Sequence, residues 1–474
     1  MTRNPDRDDV SRPGSTPTDV AATVAAMRDA AGSLDMLDRR RDALRRLRDL
    51  LVDATDTLSN ALADDLGKSA TEAWTTEIGF TIGQIDHIER SLDRWSRPRR
   101  VRLPMTLRPG RARVVPTPLG TVCIIAPWNY PIQLTLAPLA AALAAGNTAV
   151  VKPSEVAPAT EALLARLLGE RLPDVVGVVT GGVDTATELL RHRFDHIFYT
   201  GNGRVGRVVM RAAAEHLTPV TLELGGKSPA IVTGSADVAV AARRIAWGKF
   251  VNAGQTCVAP DHVLVERHLE DRLVSALRAE IDRFTGGDPA ASPDFGRIVN
   301  VHHHDRLSRF IDGSDPTNGV TVVGGGHDRD TLHIDPTVLV GTARTSPVMD
   351  EEIFGPILPI IPVDDLDDAI DVVRSRPHPL ALYLFSTDDE ERRQVLRDTH
   401  SGALVVNHAL LHLAVEDLPF GGVGESGMGA YHGRTGFDTF SHLRPVLERP
   451  NRPDPRLLYP PYGPWKRRIL RRLL

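Results

Sequence analysis

Apolar residues recur at helical spacing from about Val20 to Arg94, as at Leu44, Leu47, Leu50 and Leu51 among arginines, acids and alanines, and predict a helical cap. The pattern then changes. Between Thr121 and Leu224 short, continuous apolar runs alternate with helical stretches, and Thr121–Ala126, Thr148–Lys152, Val175–Val179, Asp195–Thr200 and Val220–Leu224 read as strands. Apolar strands separated by helices imply a doubly wound parallel sheet covered on both faces, with ligands at the carboxyl ends of its strands. A second α/β region runs from about Lys227 to Phe420, with strands expected at Val263–Val265, Val338–Val340, Ile357–Ile361 and Ala403–Asn407. No fixed-period repeat is present.

The segments that break these patterns are polar. Met1 to Asp19 is rich in Arg, Asp, Pro, Ser and Thr, lacks an apolar h-region, and reads as a disordered leader rather than a secretion signal. Arg97 to Arg113, interrupted by Pro98, Pro104 and Pro109, reads as a solvated connector. A net charge of −5 gives no general field for nucleic acid, so a small-molecule partner is expected. Two cysteines, Cys123 and Cys257, provide no disulfide framework, and no run approaches the ~18 apolar residues of a membrane span. A cytoplasmic protein is expected.

Candidate chemistry gathers in the loops after the predicted strands. Gly201-Asn202-Gly203-Arg204-Val205-Gly206 spells G-x-G-x-x-G directly after a strand and opens a helix, where glycine backbone and a helix N-terminus suit a pyrophosphate. It follows the fourth strand rather than the first, so a tight turn that packs helix on strand is the competing reading. Glu223 has three readings. The fingerprint assigns it to ribose hydroxyls, whereas its apolar strand before Gly225-Gly226 suits a general base of raised pKa. A plain strand-edge carboxylate is the third. Cys257 lies in the polar loop after a helical run, Ala236 to Phe250, where an accessible thiol suits covalent catalysis and an inert hydrophobe is the competing reading, while Cys123 sits inside a strand as an inert hydrophobe. His302-His303-His304-Asp305 lacks metal-ligand spacing and reads as a solvated face, and no metal is expected.

Five motifs in order carry a resemblance. Pro127-Trp128-Asn129-Tyr130-Pro131, Val151-Lys152-Pro153-Ser154-Glu155, Leu222-Glu223-Leu224-Gly225-Gly226-Lys227, Gly254-Gln255-Thr256-Cys257 and Glu351-Glu352-Ile353-Phe354-Gly355-Pro356 together resemble the aldehyde dehydrogenase superfamily over about residues 40 to 460. His216-Leu217-Thr218-Pro219-Val220 and Gly427-Met428-Gly429-Ala430-Tyr431-His432-Gly433 are similar to its class 3 branch of fatty and aromatic aldehyde dehydrogenases.

The resemblance implies Cys257 as nucleophile, Glu223 as general base, and the Asn129 amide with the Cys257 backbone N–H as oxyanion donors. It also implies that Lys152 and Glu155 hold the adenosine ribose, Glu352 and Phe354 the nicotinamide ribose, and Gly201, Asn202, Gly203, Val205 and Gly206 lie by the pyrophosphate. Asn202 and Gly203 depart from the family's usual G-S-T-x-x-G. Glu155 would repel a 2′-phosphate, so NAD is preferred, with NADP also accepted as in many class 3 enzymes. The implied fold is α/β: a doubly wound parallel-sheet cofactor domain, an α/β catalytic domain and a small oligomerisation extension. The expected bounds are a leader at 1–19, a cofactor domain with helical cap at 20–225 that includes a bridging segment at 97–120, a catalytic domain at 226–420, and an oligomerisation tail at 421–474.

Implied partners are an aldehyde of medium or long aliphatic or aromatic type and a second copy of the chain in a homodimer. Coenzyme A acylation and a non-enzymatic role on the same fold are the competing functions; the hydrolytic Glu223 argues against the first, and the presence of Cys257, Glu223 and Asn129 against the second. In the tail, Trp465, Ile469, Leu470, Leu473 and Leu474 fall on one helical face bordered by Lys466, Arg467, Arg468, Arg471 and Arg472. Such a helix either docks on the protein or makes weak, salt-sensitive contact with a membrane surface.

Overall fold

The structure, a computed structural model, describes residues 19–313 and 319–473. Of the expected leader only Asp19 lies within the described residues, where its carboxylate accepts the Ala22 N–H at 2.9 Å and caps the helix Val20–Asp29. The cap follows as the helices Leu37–Asp53, Thr55–Leu66 and Gly79–Ser96. Leu44, Leu47, Leu50 and Leu51 are all buried, as their spacing requires.

All five expected strands of the first region form, in the spatial order 220–223, 196–200, 121–125, 148–152, 176–178, every neighbouring pair parallel. The order reverses at Thr121–Ile125, which places the ligand crevice at the carboxyl ends of that strand and of His196–Thr200. Side chains alternate across the sheet. Val122 and Ile124 join the core built with helix Gln133–Ala145, whereas Cys123 and Ile125 face the core built with Val20–Asp29 and Gly203–Ala214. Cys123 therefore points into a closed core.

The second region is a seven-stranded sheet in the order 320–323, 337–340, 357–363, 262–266, 229–232, 381–385, 403–406. Pro229–Val232 and Ala381–Phe385 were not expected from the sequence. Both are buried along their whole length and too short to show a period. The chain expected to leave for the tail at 421 first rejoins the cofactor sheet, where Gly427 and Met428 pair antiparallel with Glu223 and Leu222.

The arginine-rich stretch is not a simple connector. Arg99–Val101 and Arg111–Pro118 flank it as strands, and Arg111–Pro118 pairs over its full length with Ser441–Glu448 in a three-stranded antiparallel sheet. Its side chains are exposed or half-buried, so no apolar alternation announced the strands. Pro104 and Pro109 fall in the turn between them, clear of the ladder.

Candidate active site

Four of the five motifs converge where the two large sheets meet. Just past the strand Thr121–Ile125, Asn129 is buried, and its side-chain Nδ2 donates to the Gln255 carbonyl at 2.9 Å. An amide carries two N–H donors, so one remains for a ligand. The neighbouring Tyr130 hydroxyl lies 2.6 Å from Thr256 Oγ1. These two contacts tie the end of the first strand to the residues immediately before Cys257.

The thiol loop follows helix Val238–Phe250, which is capped by Asp237 and ends beside Asn252, Ala253 and Gly254, all with positive φ. A Cβ on Gly254 would collide with the Gly355 carbonyl, so only glycine allows the loop to rest on the Glu351–Pro356 motif. Cys257 keeps part of its surface open, whereas Cys123 is buried. Burial pushes the Cys257 thiol up to about 12, and the neighbouring Glu352 and Glu223 carboxylates act in the same direction. Without a further positive charge the sulfur is a thiol at neutral pH.

Glu223 ends the strand Val220–Glu223, is buried, and has no hydrogen-bond partner for either carboxylate oxygen among the described residues. Burial raises its pKa well above the usual carboxylate value. Three strand spacings, about 14 Å, separate its strand from Thr148–Lys152. It stands by the thiol, far from Lys152 and Glu155.

Of the expected cofactor residues, Lys152 ends the strand Thr148–Lys152 with Glu155 following it, and Gly201 to Gly206 follow His196–Thr200, all at the carboxyl edge of the first sheet. At its far end the Lys152 ammonium donates to Glu155 at 2.9 Å and to the Pro153 carbonyl at 3.1 Å, with Glu155 exposed. In the middle, Asn202 caps the helix Gly203–Ala214 by accepting the Val205 N–H at 3.0 Å. A Cβ at Gly201 would strike the Tyr199 phenol and one at Gly206 would meet Leu224 at 3.0 Å, so close packing accounts for two of the three glycines. At the near end Phe354, with φ 50°, packs edge-on against Trp128, their ring centroids 5.4 Å apart. Glu352 is half-buried, with its carboxylate against Gly225, where a Cβ would collide with it, and desolvation of that carboxylate raises it to about 8.

Orphaned polar atoms test whether this crevice fits a dinucleotide. Thr200 Oγ1, both oxygens of Glu223 and Glu352 Oε1 are buried without partners among the described residues. All lie on strands or loops at the near end, where a nicotinamide and its ribose would bring hydroxyl and amide groups. Buried polar atoms ordinarily find partners, so the residues present fit such a group.

Sequence reasoning missed the charges that hold these loops. The Lys227 ammonium pairs with the Asp261 carboxylate and donates to the carbonyls of Val348 at 3.0 Å and Glu351 at 2.7 Å, while Asp261 also accepts the Ile353 N–H at 2.8 Å. In the sequence Lys227 is only one residue of a motif, and Asp261 carries no signal. Tyr431, whose phenol is buried beside Glu223 and Cys257, was likewise assigned no role. Of the histidine run, His303 packs on Trp128 at 5.1 Å and His304 is buried. Among the described residues no group of three or more His, Cys, Asp or Glu is placed to hold a metal.

The sequence profile of the aldehyde dehydrogenase family matches residues 5–446. Aldehyde dehydrogenase family 3 member H1 of Arabidopsis thaliana is 45% identical over 416 residues, 87% of this chain and 86% of that protein. The 4,4'-diaponeurosporen-aldehyde dehydrogenase of Staphylococcus aureus is 43% identical over 425 residues, 89% of this chain and 92% of that one. Among solved structures, the substrate-bound state of Staphylococcus aureus AldH superposes with a TM-score of 0.92 at 40% identity, covering 96% of this chain and 99% of the other. The chain therefore belongs to the aldehyde dehydrogenase family, in its class 3-like branch, and is an NAD(P)-dependent enzyme that oxidises aldehydes.

Proposed function

We propose that the chain converts an apolar aldehyde to its carboxylic acid through a thioester on Cys257, with Glu223 as general base and Asn129 as oxyanion donor. The observation that carries this reading is the buried, unpartnered Glu223 carboxylate beside the Cys257 thiol. When bound, the oxidised cofactor supplies a hydride acceptor and a positive charge beside that thiol. The partly exposed Cys257 thiol loses its proton to solvent as Sγ bonds to the aldehyde carbon. The alkoxide so formed takes hydrogen bonds from the free N–H of the Asn129 amide and from the Cys257 backbone N–H. Fixed donors of this kind are typically worth about 3 to 4 kcal/mol at such a centre. As the alkoxide collapses, the aldehyde C–H pair leaves as hydride and the acyl group remains on sulfur. Glu223 then takes a proton from water, the hydroxyl adds to the thioester carbon, and the acid departs with the thiol regenerated.

NAD is the preferred cofactor in this proposal. Lys152 and Glu155 hold the adenosine ribose, and the exposed Glu155 carboxylate opposes a 2′-phosphate. Gly201 to Gly206 stand by the pyrophosphate, and Glu352 and Phe354 hold the nicotinamide ribose. Tyr431, in edge contact with both Phe198 and Phe420, supports a wall for aliphatic or aromatic aldehydes. The staphylococcal relative is named for a diaponeurosporen aldehyde, which favours an apolar substrate here.

The domain reading retained is a cofactor unit to about 225, a catalytic unit to about 420 and an exchange segment built from Arg99–Pro118 and Ser441–Glu448. Among the described residues no helix is long and apolar enough to cross a membrane. A cytoplasmic homodimer is proposed, with weak membrane contact through the tail. Transfer of the acyl group to coenzyme A is the competing reading. Following reduced cofactor and acid product from NAD and a panel of aldehydes, with and without coenzyme A, tests the proposal. Acid formed at an unchanged rate without coenzyme A is expected, and a strict requirement for coenzyme A would overturn it.

A further inference from the structure

Lys68 and Glu77 form an ion pair of 2.5 Å whose side chains are wholly excluded from solvent. Both come from the helical cap, far in sequence from the catalytic motifs. Lys68 follows the left-handed Gly67 that ends helix Thr55–Leu66, and Glu77 sits in a single π-helical turn, Trp74–Ile78, that turns it inward. Such turns are uncommon and concentrate at functional sites. The second Glu77 oxygen accepts the N–H groups of Ile132 at 2.8 Å and Gln133 at 3.2 Å, at the start of helix Gln133–Ala145. The Lys68 ammonium donates to the Asn129 carbonyl at 3.0 Å and lies 4.0 Å from the centre of the Tyr130 ring.

That carbonyl is a junction. It also accepts the Asn252 side-chain amide at 2.8 Å, and the Asn252 backbone N–H is held by Glu72 at 2.8 Å. The Asn129 backbone is thus pinned from the cap on one side and from the thiol loop on the other. Its side chain points to Gln255, two residues before the nucleophile. Replacing a buried ion pair by apolar groups is often neutral for stability, so stability alone gives little reason to bury these two charges. A full charge aimed at one carbonyl does fix the direction of the peptide that bears it.

We propose that Lys68 and Glu77 are positioning residues for the oxyanion site, acting through the Asn129 carbonyl to hold its amide at the alkoxide. The inference rests on the reading of Asn129 as oxyanion donor. Misplacing a reacting group by about 1 Å costs on the order of 100-fold in rate. The double variant Lys68→Met/Glu77→Gln removes the charges but keeps an acceptor for Ile132 and Gln133. It is expected to fold, to lose about 100-fold in the first-turnover rate of hydride transfer and in ester hydrolysis, and to keep its Michaelis constant for NAD. In an Asn129→Ala background the same double change is expected to cost less than about threefold, because the group it positions is gone. A folded double variant at full rate, or an equal loss in both backgrounds, overturns the proposal. If Asn129→Ala alone keeps its rate, the oxyanion reading fails instead. Should the double variant not fold, Lys68→Gln/Glu77→Gln, which puts neutral polar side chains in place of both charges, carries the same two-background comparison, with the same outcomes decisive.

Discussion

Thr200 and Glu223 stand opposite one another in neighbouring parallel strands, and among the described residues neither finds a hydrogen-bond partner for its side-chain oxygens. Two such groups at the carboxyl edge of one sheet leave a polar floor under the thiol. The floor is costly to the free protein, because a buried polar atom without a partner loses its hydration for nothing in return. A site built for a bound ligand and a water to be deprotonated explains it.

Glu223→Gln keeps the shape of that floor and removes the base. Stopped-flow measurement is expected to give a burst of reduced cofactor near one equivalent of enzyme, then turnover slowed by about 100-fold or more, since general base catalysis contributes about 100- to 10,000-fold. A raised Michaelis constant for NAD with unchanged turnover would instead return Glu223 to ribose binding.

Cys257→Ala is expected to abolish both aldehyde oxidation and ester hydrolysis, and Cys123→Ala to leave both nearly intact. Alkylation with iodoacetamide gives a second readout. With its thiol held at about 12 by burial, Cys257 of the free enzyme is expected to react faster with every pH step up to pH 10. A rate with its midpoint at about 8.5 that levels off by about pH 10 would mean an unperturbed thiol. Peptide mapping is expected to find label on Cys257 and none on Cys123, which is closed in the core.

The Lys227–Asp261 pair joins the motif before the nucleophile to the loop that carries Glu352 and Phe354. Lys227 beside it holds the Asp261 carboxyl below its usual range against the opposing effect of burial, which alone would raise it. A depressed folded pKa contributes stability that is present above the unfolded value near 4 and is lost as pH falls below it. Asp261→Asn leaves the ammonium buried without its partner and is expected to cost about 3 to 5 kcal/mol in urea unfolding at pH 7. Glu352 has the opposite sign. Its folded pKa of about 8 exceeds the unfolded value, so the native state binds the extra proton and stability declines as pH rises from about 4.5 to 8. Glu352→Gln is expected to flatten that decline, and unfolding midpoints at pH 5 and pH 8 measure it; an unchanged slope would refute the assignment.

How far the sequence could carry these conclusions depends on the kind of signal each residue leaves. The five strands from Thr121 to Glu223 are apolar on both faces and were legible as runs. Glu223 and Cys257 were legible because a carboxylate in an apolar strand and a thiol in a polar loop break local pattern. Their pairing came from ordered motifs, since no periodicity brings residues 34 positions apart into one crevice. The strands Arg99–Val101 and Arg111–Pro118 were hidden because they bury no continuous face and are defined by a ladder to Ser441–Glu448. Lys68, Glu77 and Asp261 look in sequence like any solvated charge. Only tertiary packing distinguishes a buried charge from the solvated ones beside it in sequence.

Two of the edge strands among the described residues carry exposed large apolar side chains, one in the exchange segment and one in the large sheet. Ser441–Glu448 has a partner on one side only, as has Ala403–Val406 in the large sheet, and Leu443, Leu447 and Val406 are exposed along them. Open edges invite pairing, and an edge of each kind on every copy suits reciprocal exchange in a two-fold dimer. Sedimentation velocity is expected to show a dimer, and Leu447→Lys with Leu443→Lys to shift it toward monomer. A variant that remains fully dimeric would place the interface elsewhere.

The tail forms the helix Pro464–Leu473, with Leu474 outside the described residues. Trp465 is 59% exposed and Ile469 39% exposed, so within one chain the apolar face is not docked over the site. Its hydrogen bonds stay local: Lys466 donates to the carbonyls of Arg456 and Tyr459, and Arg467 to that of Tyr462. A ten-residue helix is marginal in water, below the ~12 to 15 residues at which helices begin to hold alone, so an apolar surface is expected to stabilise it. Five basic residues around that face would each gain about 1 kcal/mol at an anionic bilayer, which makes attachment weak and salt-sensitive. Co-sedimentation with phosphatidylserine-containing vesicles is expected to fall when the chain ends before Trp465 or when salt is raised from 50 to about 500 mM, where the Debye length shrinks severalfold. Equal binding by full-length and truncated protein would end the membrane reading. Truncation that spares vesicle binding yet lowers activity only on long-chain aldehydes would assign the helix to the substrate entrance of a neighbouring subunit.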